Sequence, residues 1–124
     1  MKALVVDDSR AVRTILTRML EAAGFEVAQA EHGRHALEVL ARVGPPAIAL
    51  LDWNMPEMNG YELLCAIRAN GEYADTRVMM VTTENEMEQI GRALEAGADE
   101  YLMKPFDQEA MRDKLVLLGF EVPS

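Results

Sequence analysis

Five times along the chain a short apolar run gives way to a longer stretch whose apolar residues recur at helical spacing. The runs lie at 3–6 (ALVV), 25–29 (FEVAQ), 47–51 (AIALL), 77–81 (RVMMV) and 100–103 (EYLM). Several are apolar throughout, as strands covered on both faces must be, whereas a strand with one wet face alternates. After the first run, Val12, Ile15, Leu16, Met19, Leu20 and Ala23 fall at i, i+3, i+4, i+7, i+8 and i+11, which gives a helix one wide apolar face. Gly24 stops it. A second helix is predicted over 34–42, ending before Gly44-Pro45-Pro46, because the residue before a proline is pushed out of the helical region. Asn59 with Glu62 and Asn85 with Glu88 have the N-cap to N3 spacing of helix starts, and Gly71 and Gly97 mark the ends of those helices. Asp107 is placed to cap a last helix running to about Leu118. Each return from helix to strand is short, so the pattern is that of βα units with right-handed crossovers. The fold class is therefore α/β, an open, doubly wound, five-stranded parallel sheet with five helices. Ligand sites in such sheets lie at the carboxyl ends of the strands.

With 124 residues, half of them apolar, the chain is long enough for one core and too short for two ordinary ones, so 1–124 is read as a single domain. A formal net charge of −9 without a lysine or arginine cluster excludes nucleic acid as the expected partner, since that binding rests on neutralising phosphates. The opening MKALVVDD is too short in its apolar part for a signal peptide, and no run approaches membrane length. A cytoplasmic monomer is expected. The single Cys65 allows no internal disulfide, and within ELLCAIR it is expected to pack as a small apolar side chain.

Polar residues of a definite kind stand where four of the strands end: Asp7-Asp8 after the first, Asp52 after the third, Thr82-Thr83 after the fourth and Lys104-Pro105 after the fifth. Three carboxylates within about 5 Å repel by a few kcal/mol per pair at an effective dielectric of about 20. Such a cluster needs a proton, a lysine or a cation. Lys104 supplies one charge, and an all-oxygen, carboxylate-rich site suits Mg2+ better than a soft metal. A carboxylate beside Mg2+, a lysine and a hydroxyl is what phosphoryl transfer to an aspartate requires, because that chemistry rests on positioning and charge compensation.

Through VVDDS (5–9), LLDWNMPEMNG (50–60), VTTE (81–84), the Gly97-Ala98-Asp99 to Tyr101 segment and KPF (104–106), the chain resembles a response-regulator receiver domain of the single-domain chemotaxis type, over essentially its whole length. The resemblance implies a flavodoxin-like sheet of strand order 2-1-3-4-5. It implies Asp52 as phosphoacceptor, with Thr82 and Lys104 gripping the phosphoryl oxygens. It implies Mg2+ held by Asp8 and Asp52, by the main-chain carbonyl of Asn54, and by Asp7 through a water. Tyr101 would turn inward when Thr82 moves, switching a face made of the fourth helix, fifth strand and fifth helix, and the Lys104–Pro105 peptide bond would be cis. The implied partners are a histidine kinase or phosphotransfer protein and a downstream effector protein, and the chain would be no enzyme beyond assisting its own phosphorylation and dephosphorylation.

A flavin-binding electron carrier shares this architecture but needs a phosphate loop after the first strand, where Asp7-Asp8-Ser9-Arg10 would repel a phosphate. An aspartyl phosphatase would resemble a pattern with its nucleophile and a second aspartate two residues apart on the first strand, together with a cap domain. The remaining rival is a receiver-fold adaptor that binds partners regardless of phosphate. His32 and His35 are expected to be solvated, the methionines to be core apart from Met55 and Met58, and Trp53 to flank the metal site. The chain stops soon after the fifth helix, so output is expected to be a protein contact, and Glu84, Glu86 and Glu88 near the start of the fourth helix would favour a basic or neutral docking segment.

Overall fold

A computed structural model describes residues 1–123. Five strands, β1 (Lys2–Val6), β2 (Glu26–Ala30), β3 (Ile48–Asp52), β4 (Arg77–Thr82) and β5 (Glu100–Met103), alternate with α1 (Arg10–Ala22), α2 (Gly33–Val43), α3 (Gly60–Arg68), α4 (Ile90–Glu95) and α5 (Gln108–Leu117). The strands form one parallel sheet in the order β2-β1-β3-β4-β5. Every residue of β3 is buried, as its apolar run and central place require.

Alternation along the strands divides the core in two. Leu4, Val6, Ala49, Leu51, Val78 and Met80 point to one side, where residues of α2, α3 and α4 cover them. Ala3, Val5, Ile48, Leu50, Met79 and Val81 point to the other, against α1 and α5. The side-chain period of two explains the division.

Helix ends follow the residues that can form them. Ser9 caps α1, His32 caps α2, Asn59 and Glu62 make a reciprocal capping box on α3, and Asp107 caps α5. Gly24 and Gly97 take φ of 98° and 115°, a region that side chains with a Cβ avoid.

Several expectations need correction. The fourth helical segment starts as a 3-10 helix, Glu84–Gln89, capped from Thr83 with Glu86 as its reciprocal partner, not from Asn85 with Glu88. Gly71 opens a short 3-10 helix, Gly71–Tyr73, while α3 has already ended at Arg68. Cys65 is exposed, because the α3 stripe at Leu63, Leu64 and Ile67 faces the core and leaves Cys65 on the outer side. Met55 is buried in the core despite its loop position, whereas Met1 and Met103 are exposed. Glu86 is buried too, leaving Glu84 and Glu88 as the exposed acids of this segment.

Gly60 holds the β3–α3 loop against the sheet. A Cβ there would strike the main-chain carbonyl of Asp52 and crowd Met80, and the Gly60 amide donates to the Trp53 carbonyl at 2.9 Å. Gly60→Ala is expected to cost about 1–3 kcal/mol by overpacking, measured as a lowered urea midpoint with unchanged m-value.

Candidate functional site

Two adjacent strand ends, those of β1 and β3, bring the acidic residues together. Asp52 is the last residue of β3, its position fixed by the Trp53 amide donating to the Val81 carbonyl at 3.1 Å. Asp7 follows β1, and its Oδ1 accepts from the Ser9 amide at 2.8 Å. The Asp7 carbonyl accepts from Arg13 Nη1 at 2.7 Å, so a buried guanidinium one turn into α1 fixes the main chain beneath the acid. One carboxylate oxygen from each of Asp7, Asp8 and Asp52 lies within 4.8 Å of the others, Asp7 and Asp52 buried and Asp8 exposed.

Lys104, just beyond β5, completes this edge. Its amide donates to the Thr82 carbonyl at 2.7 Å, and its peptide bond to Pro105 is cis. Its ammonium donates to Asp52 Oδ1 at 3.1 Å and lies 3.8 Å from Asp7 Oδ2. One ammonium against three carboxylates leaves an excess of negative charge. Burial first, then the charge of Asp7, push the Asp52 carboxyl up from 3.8 to about 6, against the opposing pull of Lys104. Burial likewise raises Asp7. Burial alone would lower Lys104, but the hydrogen bond and charge of Asp52, with the charges of Asp7 and Glu86, outweigh it and raise its pKa.

The donors fit a hard divalent cation. Asp7 Oδ2 is buried with no hydrogen-bond partner among the described residues, its ion pair with Lys104 being too long for one. A carboxylate oxygen left in this state is costly unless a cation meets it. Three carboxylates at this spacing are an oxygen set suited to Mg2+, which keeps waters at its other positions.

These shifts set a sign for stability. A carboxyl raised on folding contributes stability that is present below its unfolded value and is lost as pH rises through its folded value. In a chelator at pH 7.5, Asp52→Asn is therefore expected to be more stable than the parent. The gap between 3.8 and about 6 caps the gain at about 3 kcal/mol. Lost contact with Lys104 should reduce it to roughly 1–2 kcal/mol. The advantage should shrink as pH falls from about 6 to about 4, and paired urea titrations across that range measure it.

Thr82 ends β4 and is buried. Its hydroxyl is 3.2 Å from both the Thr83 carbonyl and Glu86 Oε1. Tyr101 pairs with Met80 in the β4–β5 register, two residues from the Thr82–Met103 pair, so Thr82 and Tyr101 share a sheet face. Tyr101 is half-buried, with the Lys114 ammonium 4.1 Å from its ring centroid and tied to Glu100 at 2.9 Å. Asn54 is exposed beyond Asp52, and its side-chain amide donates to Glu86 Oε2.

Trp53 departs from expectation. Its main chain adjoins Asp52, but its indole is buried in the core with its centroid 6.1 Å from that of Tyr61, over which Arg92 of α4 sits at 4.7 Å. The fluorophore therefore touches a path from the acidic edge to α4. The two histidines are half-buried rather than free in solvent: His32 Nδ1 accepts from the His35 amide and His35 Nδ1 from the Glu31 amide, each at 3.1 Å. Sequence reasoning missed Arg13 and Glu86 at the site. The Thr83-x-x-Glu86 spacing carried a signal for the second.

Residues 3–116 match the response regulator receiver domain. The chain is 41% identical over 121 residues to the chemotaxis protein CheY1 of Helicobacter pylori (strain J99), covering 96% of this chain and 98% of that protein. It is 42% identical over 116 residues to the chemotaxis protein CheY homolog of Campylobacter jejuni (strain 81-176), covering 93% and 89%. Its fold superposes on the solved structure of Vibrio cholerae chemotaxis response regulator CheY4 with a TM-score of 0.85 at 36% identity, covering 94% and 97%.

Proposed function

The chain belongs to the response regulator receiver family, and from that premise we propose that it is a phosphoacceptor of two-component signalling in chemotaxis or motility, carrying the phosphoryl group on Asp52. The observation that carries this reading is the meeting of Asp7, Asp8 and Asp52 at one sheet edge with Lys104 on Asp52 Oδ1. The donor is the phosphohistidine of a histidine kinase or phosphotransfer protein. A carboxylate oxygen of Asp52 bonds to phosphorus as the phosphorus–nitrogen bond to the donor imidazole breaks, and the imidazole leaves with the electron pair.

Each residue then has a physical task. Asp52, though raised to about 6, is mostly ionised at pH 7.5 and so is ready as a nucleophile. Lys104, kept charged by the same carboxylates, balances the growing negative charge on the phosphoryl oxygens. Thr82 donates its hydroxyl to one of them. Asp8, Asp52 and the Asn54 carbonyl, with Asp7 through a water, would hold Mg2+, which would supply charge compensation for the transfer. Arg13 acts as a positioning residue through the Asp7 main chain.

Output is read as a population shift. Drawing Thr82 toward phosphate frees space on the sheet face it shares with Tyr101, and α4, β5 and α5 respond. Leu94, Met103, Val116 and Leu117, exposed on those three elements, offer apolar anchors for an effector protein. Among the described residues no helix is long and apolar enough to cross a membrane, in keeping with cytoplasmic work. Amide spectra with Mg2+ and beryllofluoride, a stable stand-in for the phosphoryl group, test the reading. Shifts should spread from Asp52 to α4, β5 and α5. An adaptor indifferent to phosphate would show none on that face. Tyr101→Ala should leave Asp52 phosphorylatable while weakening effector capture, and loss of phosphorylation in that variant would contradict its place in the switch.

A further inference from the structure

Glu86 is a charged side chain drawn into the site from the 3-10 helix that leads into α4. It is 7% exposed. Its Oε1 accepts from the Thr83 amide at 2.9 Å and lies 3.2 and 3.1 Å from the Thr82 and Thr83 hydroxyls, while its Oε2 accepts from the Asn54 amide. Its charge also reaches the Lys104 ammonium. This carboxylate thus holds an amide and two hydroxyls at the end of β4 and the side-chain amide two residues beyond Asp52 in the chain, donors suited to phosphoryl oxygens. Glu86 stands outside the group formed by Asp7, Asp8 and Asp52, so the cation donors are left to those three.

Resting on the phosphoacceptor reading, we propose that Glu86 is a built-in competitor for the phosphoryl group: its carboxylate occupies the Thr82 and Asn54 donors in the resting protein and must withdraw before or as Asp52 is phosphorylated. Two like charges cannot share those donors beside Asp52 without strong repulsion. The competitor is also the reciprocal cap of the 3-10 helix, so its withdrawal removes the cap at the entrance to α4. Phosphorylation is thereby coupled to the output face through a carboxylate of this chain, alongside the Thr82 and Tyr101 route. The acceptor reacts faster from the withdrawn state, and its apparent rate and affinity rise with that state's population.

A purely structural cap would behave differently. It would lose stability on substitution and gain nothing in reactivity. The test compares the parent with Glu86→Ala, Glu86→Gln and the control Glu88→Gln, which makes the same change of charge on the exposed side. With the withdrawn state at about one part in ten, Glu86→Ala should react with acetyl phosphate and Mg2+ about tenfold faster, and bind beryllofluoride about tenfold tighter by Trp53 fluorescence, although its urea midpoint falls. Glu86→Gln should lie between it and the parent, and Glu88→Gln should match the parent. Equal or slower rates in both Glu86 variants, or the same acceleration in Glu88→Gln, would overturn the proposal. Failure of the parent and every variant to take phosphate would overturn the phosphoacceptor reading itself, and this inference with it.

Discussion

Asp8→Ala is expected to slow phosphorylation of Asp52 by at least about a hundredfold, the scale at which one preorganised charge partner is lost from a transition state. The acceptor carboxylate and Lys104 remain in place in this variant, so the effect isolates the cation. Asp8 is the exposed member of the three acids, and its removal disturbs little packing. The charge it relieves should stabilise the metal-free protein. The same change should weaken Mg2+ binding, read by calorimetry without any phosphodonor. Opposite signs in one variant, a firmer fold and a poorer acceptor, separate loss of the cation from damage to the structure. Mg2+ itself should stabilise the parent in proportion to its saturation, and that increment should largely vanish in Asp8→Ala. Unchanged phosphorylation in Asp8→Ala would remove the metal from the account.

Lys104→Ala is the second variant with a large effect, and here fold and function fall together. Its ammonium is the partner of Asp52 at 3.1 Å and lies nearest Asp7 at 3.8 Å, and both of those carboxylates are buried. Lys104 itself is 27% exposed, so stranding these carboxylates costs about 1–3 kcal/mol, less than breaking a fully buried pair. Phosphorylation should fall by about a hundredfold or more, since the developing charge loses the ammonium paired with Asp52. The double variant Lys104→Ala, Asp52→Asn should recover part of the stability and none of the phosphorylation, because the stranded carboxylate has gone along with the acceptor. A double variant no more stable than Lys104→Ala in chelator would contradict the electrostatics described for this edge.

The parts of this protein governed by local rules were legible in the sequence. The runs of β1, β3 and β4 became strands buried on both faces, as continuous apolar sequence demands, whereas β2 and β5 lie at the sheet edges and stay partly exposed. Gly24, Gly97, Asn59 with Glu62, and Asp107 mark helix ends where the structure has them. Asp7, Asp8, Asp52, Thr82 and Lys104 could be brought to one edge because strand ends of a parallel sheet share a side. The segment after β4 shows where local rules stop. Two capping frames, Thr83 with Glu86 and Asn85 with Glu88, overlap there with equal spacing. The first prevails because Glu86 in that frame also reaches Thr82 and Asn54, the latter 32 residues away in the chain. Spacing along a sequence contains no such partner. Cys65 and Met55 depart from expectation in opposite directions: the packing of Leu63, Leu64 and Ile67 turns apolar Cys65 outward, and the loop after β3 folds Met55 into the core although loop position argues for exposure.

The central claim is that Asp52 is a phosphoacceptor served by a cation and by Lys104. Intact-mass measurement after incubation with acetyl phosphate and Mg2+, followed by peptide mapping of the borohydride-reduced protein, tests it most directly. The account predicts a single added phosphoryl group, located at Asp52 and lost in Asp52→Asn or on chelation of the metal. No addition, addition at another residue, or the same addition in the presence of a chelator would contradict it.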